Sequence, residues 1–282
     1  MRLLLQRLTQ LVDQQLLALA AATGLPAQVA IVAVGGYGRS QLFPYSDIDV
    51  LLLVPPDNAA LRPALEAFVT ACWDTGLEIG SSVRTVDECL ALAQQDITAQ
   101  TSMLEMRHIG GSTEHFAQLL AQLPSTFHPQ EFFLAKHLEL RQRHTKYENT
   151  PYSLEPNCKE SPGGLRDLHT VLWVARAAGL GNSWRELAHN GLATAFELRQ
   201  IERNEALLLL IRTRLHALAG RSLAEEASQN TWDWQRLSAL SPWQMAWGKL
   251  LGAALPAWLY VLWFAIASAA IATLWVMEPI KI

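Results

Sequence analysis

The sequence predicts an α+β fold, in which a small sheet of at least three strands precedes a long helical region. Two apolar runs, at 31–34 and 50–54, are typical of buried strands, and a polar, glycine-rich turn separates them. A third strand is predicted at 77–83, after a helix that is closed by Gly76. Beyond Gly111 the pattern is helical, so the sheet and the helices occupy successive parts of the chain.

The chain opens with a predicted amphipathic helix that is closed by Gly24 and Pro26. Two charged residues within it, Arg7 and Asp13, are not compatible with the apolar core of a signal peptide. Its apolar face repeats every three or four residues, at Leu5, Leu8, Val12, Leu16 and Leu19. We therefore divide the chain into an N-terminal helix (1–28), a sheet-containing core (29–111), a helical domain (112–221) and a C-terminal tail (222–282).

The turn between the first two strands carries groups that are expected to bind phosphate. Gly35 and Gly36 lack a Cβ, so the backbone there can approach a ligand closely. The polar segment 37–41, which contains Arg39, is predicted to form a helical turn whose free N–H groups face the phosphate. The pattern indicates a binding turn for a nucleotide triphosphate.

Two aspartates at the start of the second strand are predicted to bind a metal ion. Side chains alternate along a strand, so Asp47 and Asp49 share one face while Ile48 points into the core. A tight turn with two loop-capping aspartates is the alternative, but a buried pair of like charges requires a compensating cation. Carboxylates opposite a phosphate turn can hold Mg²⁺ against a triphosphate, which predicts metal-dependent nucleotidyl transfer.

A second segment, 154–169, offers further phosphate-binding groups. Gly163 and Gly164 precede a predicted helix, whose first N–H groups can face an anion. Lys159 and Arg166 flank these glycines, and a capped helix start with a surface Arg–Asp pair is the alternative interpretation. Beside the aspartate pair, the segment is predicted to form a second wall of the nucleotide pocket, with positive charge for departing pyrophosphate.

The composition argues against a nucleic-acid-binding protein and favours a reducing compartment. The formal net charge is −4, whereas nucleic-acid binders usually present a basic face. Three cysteines, Cys72, Cys89 and Cys158, are odd in number and widely spaced, which fits neither a disulfide framework nor a zinc motif. The sequence therefore predicts a cytoplasmic location.

Three stretches of the sequence together resemble one known family. They are GGYGRSQLFPYSDIDVLLL, GLEIGSSVRT and EPNCKESPGGLRDLH, and they occur in this order within residues 29–221. They resemble the N-terminal nucleotidyltransferase region of the bifunctional PII uridylyltransferase/uridylyl-removing enzymes of bacterial nitrogen signalling. The glutamine-synthetase adenylyltransferases are similar more loosely.

The resemblance implies a polymerase-β-like nucleotidyltransferase core followed by a helical domain. It implies Mg²⁺-dependent transfer of UMP from UTP to a tyrosine of the PII protein, with release of pyrophosphate. Asp47 and Asp49 match the metal-binding pair, and Gly35 and Gly36 match the triphosphate turn. The other candidates are Arg39, Lys159, Gly163, Gly164 and Arg166 as nucleotide-binding residues, and Glu78 as a third metal carboxylate. A glutamate on the strand surface is the alternative for Glu78.

The sequence also departs from the full-length members of this family, which continue with a phosphohydrolase domain and two glutamine-sensing domains. It contains no His-Asp dipeptide, so we expect neither uridylyl-removing activity nor a glutamine sensor. Two other functions remain open. One is transfer of AMP by an adenylyltransferase of the same superfamily, and the other is nucleotide binding without turnover by a truncated remnant.

The C-terminal tail has a composition unlike the rest of the chain. Seven of the ten tryptophans lie at or after Trp232, and residues 250–277 carry no charged side chain. This stretch is long enough to span a bilayer. Three interpretations stay open: a truncated or frameshifted end, a membrane anchor at 250–277, and an apolar helix packed on the helical domain.

Overall fold

The first part of the chain forms a four-stranded sheet with helices packed on it, and the described residues after β4 are helical apart from turns and loops. The computed structural model describes residues 1–77, 79–147, 149 and 157–228, of which 219–228 are described as helical backbone only. Residues 1–220 form one compact unit. The strands are β1 (Ala30–Ala33), β2 (Ile48–Leu53), β3 (Ile79–Arg84) and β4 (Arg107–Gly111).

The helices fall into two groups along the chain. Those of the sheet-containing part are α1 (Arg2–Ala22), α2 (Gly35–Gly38), α3 (Arg62–Asp74), α4 (Val86–Gln95), α5 (Ile97–Met103) and α6 (Thr113–Gln122). Those that follow are α7 (Pro129–Lys146), α8 (Leu165–Ala177), α9 (Trp184–His189) and α10 (Ala195–Ser228). Short 3₁₀ turns lie at Ala59–Leu61 and Leu123–Thr126.

The sheet is mixed, and its strand order is β3-β2-β1-β4. The two inner strands are β2 and β1. Strand β1 is antiparallel to both β2 and β4, whereas β2 and β3 are parallel. Ala33 at the end of β1 pairs with Val50, and the N–H of Val34 donates to the carbonyl of Asp49 at 3.1 Å. This register places the turn after β1 directly beside the start of β2.

The alternation of side chains along the strands gives the sheet two apolar faces. One face packs against α1 and α3, through residues such as Leu16 and Phe68, and the other packs against α4 and α6, through Cys89 and Leu119. The predicted apolar face of α1 is confirmed. Val12 and Leu16 are buried, Leu8 and Leu19 pack against the same cluster, and Leu5 is buried in a cluster with Phe43, Leu165 and Leu209.

Several predicted boundaries differ from the structure. The third strand begins at Ile79 rather than at residue 77, and the helical turn predicted at 37–41 begins at Gly35. The edge strand β4 was not predicted, because its sequence RHIGG lacks an apolar alternation and its position depends on pairing with β1. The three cysteines are free thiols, and burial raises the pKa of Cys72 and Cys89 to about 11.

No helix in the described part of the chain is both long and apolar enough to cross a membrane. The apolar stretch at 250–277, for which a membrane anchor is one of three interpretations, lies outside the described residues, as does the whole tail from residue 229 onward.

We predict that Gly111→Ala destabilises the fold strongly. Gly111 has a φ of +78°, and a Cβ there would lie 1.8 Å from the carbonyl oxygen of Val29, so β4 could not keep its place beside β1. The free energy of unfolding in urea should fall by at least about 3 kcal/mol.

Gly24→Ala is the matched control, because Gly24 also has a positive φ (+66°) but no atom within 4 Å of the added Cβ. Its cost should be limited to the strained backbone, about 1 kcal/mol. Equal losses for the two variants would contradict the steric account.

Candidate active site

The first wall of the site is the turn that joins β1 to α2. Val34 is extended, and Gly35 then takes a φ of +57°, a conformation that glycine adopts without strain. A Cβ on Gly35 would lie 3.4 Å from Oδ2 of Asp49. This distance is an ordinary contact, so the positive φ is what favours glycine here, and Gly35 and Gly36 line one cavity together with Asp49.

A tightly folded loop carries the chain from α2 to the aspartates. Ser40 and Tyr45 both have positive φ values, of 58° and 57°, which are uncommon for residues other than glycine. Between them Leu42 and Phe43 are buried, and Phe43 packs against Leu209 of α10. These contacts fix the loop, and Asp47 lies at its end, directly before the first residue of β2.

Asp47 and Asp49 lie on one side of β2 as predicted, with Ile48 buried between them. Both residues are exposed and line the cavity. The expectation that this like-charge pair is buried was therefore wrong. Partial burial raises the pKa of Asp49, and the neighbouring charge of Asp47 acts in the same direction. A Cβ on Gly80 of β3 would lie 3.1 Å from Oδ1 of Asp49, so glycines flank both oxygens of this carboxylate.

These two carboxylates fit a magnesium ion that is shared with a triphosphate. Mg²⁺ commonly takes one or two protein carboxylates and completes its shell with substrate phosphates and water. Within the described residues there is no cluster of three or more His, Cys, Asp or Glu side chains that could hold a metal by themselves. Asp47 and Asp49 would supply two protein ligands, and a bound cation would relieve their repulsion.

A cavity of about 460 Å³ extends from the aspartates to helices α5, α7, α8 and α10. Gly35 and Gly36 form one end of its wall, and the helical part of the chain supplies most of its charged groups. The acidic lining residues are Asp47, Asp49, Glu105, Glu139 and Glu160. The basic lining residues are Arg39, Lys136, Lys159, Arg166 and Arg212.

Lys159 and Arg166 both reach the cavity, as the sequence predicts for a second wall. Arg166 Nη2 donates to Oε1 of Glu160 at 3.0 Å, and Nζ of Lys159 lies 3.5 Å from the same oxygen. Burial lowers the pKa of Lys159, and the nearby Arg166 and Arg212 add to this effect. Lys159 and Arg166 share Glu160 as their acidic partner, so a phosphate group would supply further negative charge to this pair of cations.

Arg39 lines the cavity but belongs to a buried polar network. Its guanidinium forms an ion pair with Glu105, and the indole Nε1 of Trp173 donates to the other carboxylate oxygen. The side chain of Glu105 is only 3% exposed and that of Arg39 is 15% exposed. Arg39 thus joins the phosphate turn to α8, in addition to any contact with a ligand.

Gly163 and Gly164 do not line the cavity, and the structure favours the alternative interpretation of a capped helix start. Gly163 donates its N–H to Oδ2 of Asp167 at 2.8 Å, and Gly164 donates to the carbonyl of Ser161 at 2.8 Å. The next two N–H groups donate to the carbonyls of Cys158 and Lys159. Because these donors are engaged within the turn, they do not face an anion. Glu78, the proposed third carboxylate, lies outside the described residues.

Sequence reasoning missed the contribution of α10 to the site. His216 Nδ1 donates to the carbonyl of Pro44 at 2.7 Å, so its Nε2 accepts from Nε of Arg212 at 3.3 Å. The guanidinium of Arg212 lies 4.1 Å above the ring of Phe43. Arg212 and His216 are polar residues four apart in a leucine-rich helix, and this spacing is the signal that could have found the contact.

Two family models match the parts of the chain that form this site. Residues 18–104 match the family model described as nucleotidyltransferase domain, and residues 131–227 match the one described as GlnD PII-uridylyltransferase. The first match contains the glycine turn and both aspartates. The second contains Lys159, Arg166 and Arg212. The part of the chain that holds the aspartates and the glycine turn is therefore similar to nucleotidyltransferase domains.

The particular relatives are bifunctional uridylyltransferase/uridylyl-removing enzymes. Those of Burkholderia orbicola strain AU 1054 and Cupriavidus pinatubonensis are each 55% identical over 219 residues, and that of Burkholderia mallei strain ATCC 23344 is 54% identical over the same length. The match covers 77% of this chain but about a quarter of each relative, 25% or 26%. It confirms that the chain is similar to the N-terminal region of these enzymes.

We predict that Glu105→Gln destabilises the protein by about 3 kcal/mol, because it leaves the buried guanidinium of Arg39 without a charged partner. Urea denaturation measures the loss. Glu66→Gln is the control, since Glu66 pairs with Arg62 on the surface with 67% of its side chain exposed, and should cost less than about 1 kcal/mol. Similar costs for the two variants would show that the Arg39–Glu105 pair is not structurally important.

We predict that Asp49→Asn removes metal-dependent nucleotide binding without weakening the metal-free fold. The pKa of Asp49 is raised in the folded protein, so its ionisation opposes folding as the pH rises, and a neutral amide removes that cost. In EDTA the variant should melt at the same temperature as the wild type or slightly higher.

With Mg²⁺ and a nucleoside triphosphate at one hundred times the dissociation constant, the wild type should gain about 2.7 kcal/mol and the variant almost nothing. Asp57→Asn, at an exposed aspartate in the turn after β2, should behave as the wild type. An Asp49→Asn protein that is stabilised as much as the wild type would contradict the metal assignment.

Proposed function

We propose that this chain is a nucleotidyltransferase that transfers UMP from UTP to a tyrosine hydroxyl of the PII signalling protein and releases pyrophosphate. The observation that carries the proposal is the position of Asp47 and Asp49, which line one cavity together with the glycine turn and with cations from the helical part of the chain. The matches to a nucleotidyltransferase domain and to PII-uridylyltransferase support the reaction and the acceptor.

The cavity suits a nucleoside triphosphate in size and in charge. Its volume of about 460 Å³ lies in the usual range for small-molecule sites. The triphosphate would lie along the turn at Gly35 and Gly36, where no Cβ prevents close approach. Lys159, Arg166 and Arg212 would neutralise the β- and γ-phosphates.

Asp47 and Asp49 would hold Mg²⁺ at the α-phosphate end of the cavity. When bound, the metal lowers the pKa of the incoming hydroxyl and stabilises negative charge on the transferred phosphoryl group. In the polymerase-β-like arrangement that the resemblance implies, a further carboxylate comes from the neighbouring strand, and Glu78 remains our candidate for it.

The chain's own residues position the reactants and stabilise the leaving group. The phenolic oxygen bonds to the α-phosphorus, the bond from that phosphorus to the bridging oxygen of the β-phosphate breaks, and the phenolic proton passes to water. Negative charge then accumulates on the departing pyrophosphate, beside Lys159 and Arg166. Preorganised cations at this point are worth most in the reaction, because they need not reorganise as the charge develops.

The acceptor and the donor base are the parts of the proposal that rest on relatives. The similarity to PII-uridylyltransferase covers residues 131–227, which include Lys159, Arg166 and Arg212. These three side chains would contact the phosphates, which UTP and ATP have in common, so the choice of UTP rests on the similarity to PII-uridylyltransferase. Both substrates and Mg²⁺ belong to the cytoplasm, which also suits three free cysteines.

The test is transfer of labelled nucleotide to purified PII. The full chain is incubated with PII, Mg²⁺, 2-oxoglutarate and either labelled UTP or labelled ATP, and the added mass on PII is measured. We expect label from UTP only, and we expect Asp47→Ala and Asp49→Ala to reduce the rate at least about a hundredfold without unfolding.

Asp57→Ala is the control for the loss of an aspartate outside the cavity, and it should retain full activity. Label from ATP alone would assign the chain to the adenylyltransferases. A folded protein that binds nucleotide but labels PII from neither donor would contradict the proposed transfer and favour the non-catalytic remnant.

A further inference from the structure

A second cavity of about 640 Å³ also reaches the two aspartates. Asp47 and Asp49 line both this cavity and the cavity of about 460 Å³ in the candidate active site, which we call the donor cavity. Its remaining wall comes from the end of α3 and the start of β3, with Trp73, Gly76, Leu77 and Gly80. We call this second cavity the acceptor groove.

The geometry of the reaction requires access from two sides. In phosphoryl and nucleotidyl transfer the attacking and leaving oxygens lie roughly in line through the phosphorus. The basic groups that suit the leaving pyrophosphate lie in the donor cavity, so the nucleophile must arrive from the opposite side of Asp47 and Asp49. The acceptor groove reaches these two carboxylates and shares no other lining residue with the donor cavity, as such a second approach requires.

We propose that the acceptor groove receives a segment of a partner protein that presents a tyrosine hydroxyl to Asp47 and Asp49, and that Trp73 packs against the incoming ring. The proposal rests on the nucleotidyl transfer proposed above. To that proposal it adds the acceptor groove as the surface that binds the acceptor protein, and Trp73 as the residue that recognises the acceptor side chain.

The chemistry of the groove favours an aromatic protein side chain over a nucleic acid. None of the described residues that line it is basic, whereas a ribose hydroxyl would bring phosphates that need cations. Trp73 exposes 60% of its surface at the rim, although large aromatic side chains are usually covered in proteins. An exposed indole beside Leu77 offers a flat apolar wall to a phenol ring.

The groove also continues along a surface that can hold an extended segment. Trp73 lines a neighbouring cavity of about 680 Å³ between α3 and β3, where Val83 is 45% exposed. Strand β3 is at the edge of the sheet, and no strand among the described residues pairs with its outer side. An extended segment of the partner could pair along this outer side, as in other strand-addition complexes.

The test separates acceptor recognition from donor binding. The full chain and its Trp73→Ala variant are assayed with PII and UTP, each substrate being varied in turn. We expect the KM for PII to rise about tenfold in the variant, as for loss of an aromatic anchor, while the KM for UTP stays within twofold of the wild type. Trp73→Phe should restore most of the affinity for PII.

Phe196→Ala is the matched control, because Phe196 is an aromatic residue of similar exposure, 63%, on α10 and outside both cavities. It should leave both KM values unchanged. An unchanged KM for PII in Trp73→Ala would overturn the acceptor groove while leaving the proposed transfer intact.

A binding measurement makes the groove testable without turnover. The affinity of PII for the chain is measured with Mg²⁺ and a non-hydrolysable UTP analogue, and it should fall about tenfold in Trp73→Ala. Equal affinity in the two proteins would overturn the proposal. A single-stranded RNA oligonucleotide that competes with PII, and loses its binding in Trp73→Ala, would also overturn it in favour of a nucleic-acid acceptor. If the wild type labels no PII but binds it through Trp73, the proposed transfer fails and the groove stands.

Discussion

The buried ion pair between Arg39 and Glu105 is the interaction on which the rest of the site depends. Arg39 follows the phosphate turn, Glu105 lies between α5 and β4, and the indole of Trp173 from α8 completes the network. Three segments that are distant in the sequence are thereby fixed around one carboxylate. A buried pair of this kind contributes mainly through geometry, because removing either partner leaves an uncompensated charge.

The segment that contains Glu105 also leaves no room for a side chain at Gly38, at the end of the phosphate turn. A Cβ on Gly38 would lie 1.9 Å from the carbonyl oxygen of Glu105, and one on Gly35 would approach the carboxylate of Asp49. The turn is therefore confined between the network on one side and the proposed metal site on the other. Its position is set before any ligand binds, which reduces the entropy that binding must cost.

The charges around the donor cavity are arranged so that an anionic ligand completes them. Burial keeps the pKa of His169 on α8 well below its ordinary value, and Arg39 and Arg166 act in the same direction. The imidazole therefore remains neutral within a positive region. On the opposite wall Asp47 raises the pKa of Asp49, although less than partial burial does. A metal–triphosphate complex would bring negative charge to the first region and positive charge to the second.

The local parts of this site could be predicted from the sequence, and the long-range parts could not. The aspartate alternation around Ile48 and the glycine turn follow from backbone geometry over a few residues. Strand β4 has no apolar alternation of its own and exists because β1 offers it an edge. The contact of Arg212 and His216 with the loop at Pro44 depends on how α10 packs, which no short pattern encodes.

The glycines at 163 and 164 show the opposite difficulty, in which a local pattern predicts too much. A glycine pair before a helix is compatible with anion binding and with a tight cap, and only the hydrogen-bond partners distinguish the two. Here a Cβ on Gly164 would lie within 3.0 Å of three carbonyl oxygens, so the glycine is required for packing. Lys159 and Arg166, which flank the pair, are the groups that reach the cavity.

The central claim is that Asp47 and Asp49 hold a divalent cation against a triphosphate lying along the turn at Gly35 and Gly36. A crystal structure of the full chain with Mn²⁺ and a non-hydrolysable UTP analogue tests it most directly, because manganese scatters anomalously. We predict an anomalous peak bridging the two carboxylates and the phosphates, with the β- and γ-phosphates beside Lys159 and Arg166. A triphosphate bound elsewhere, or manganese without either carboxylate as a ligand, would contradict the account.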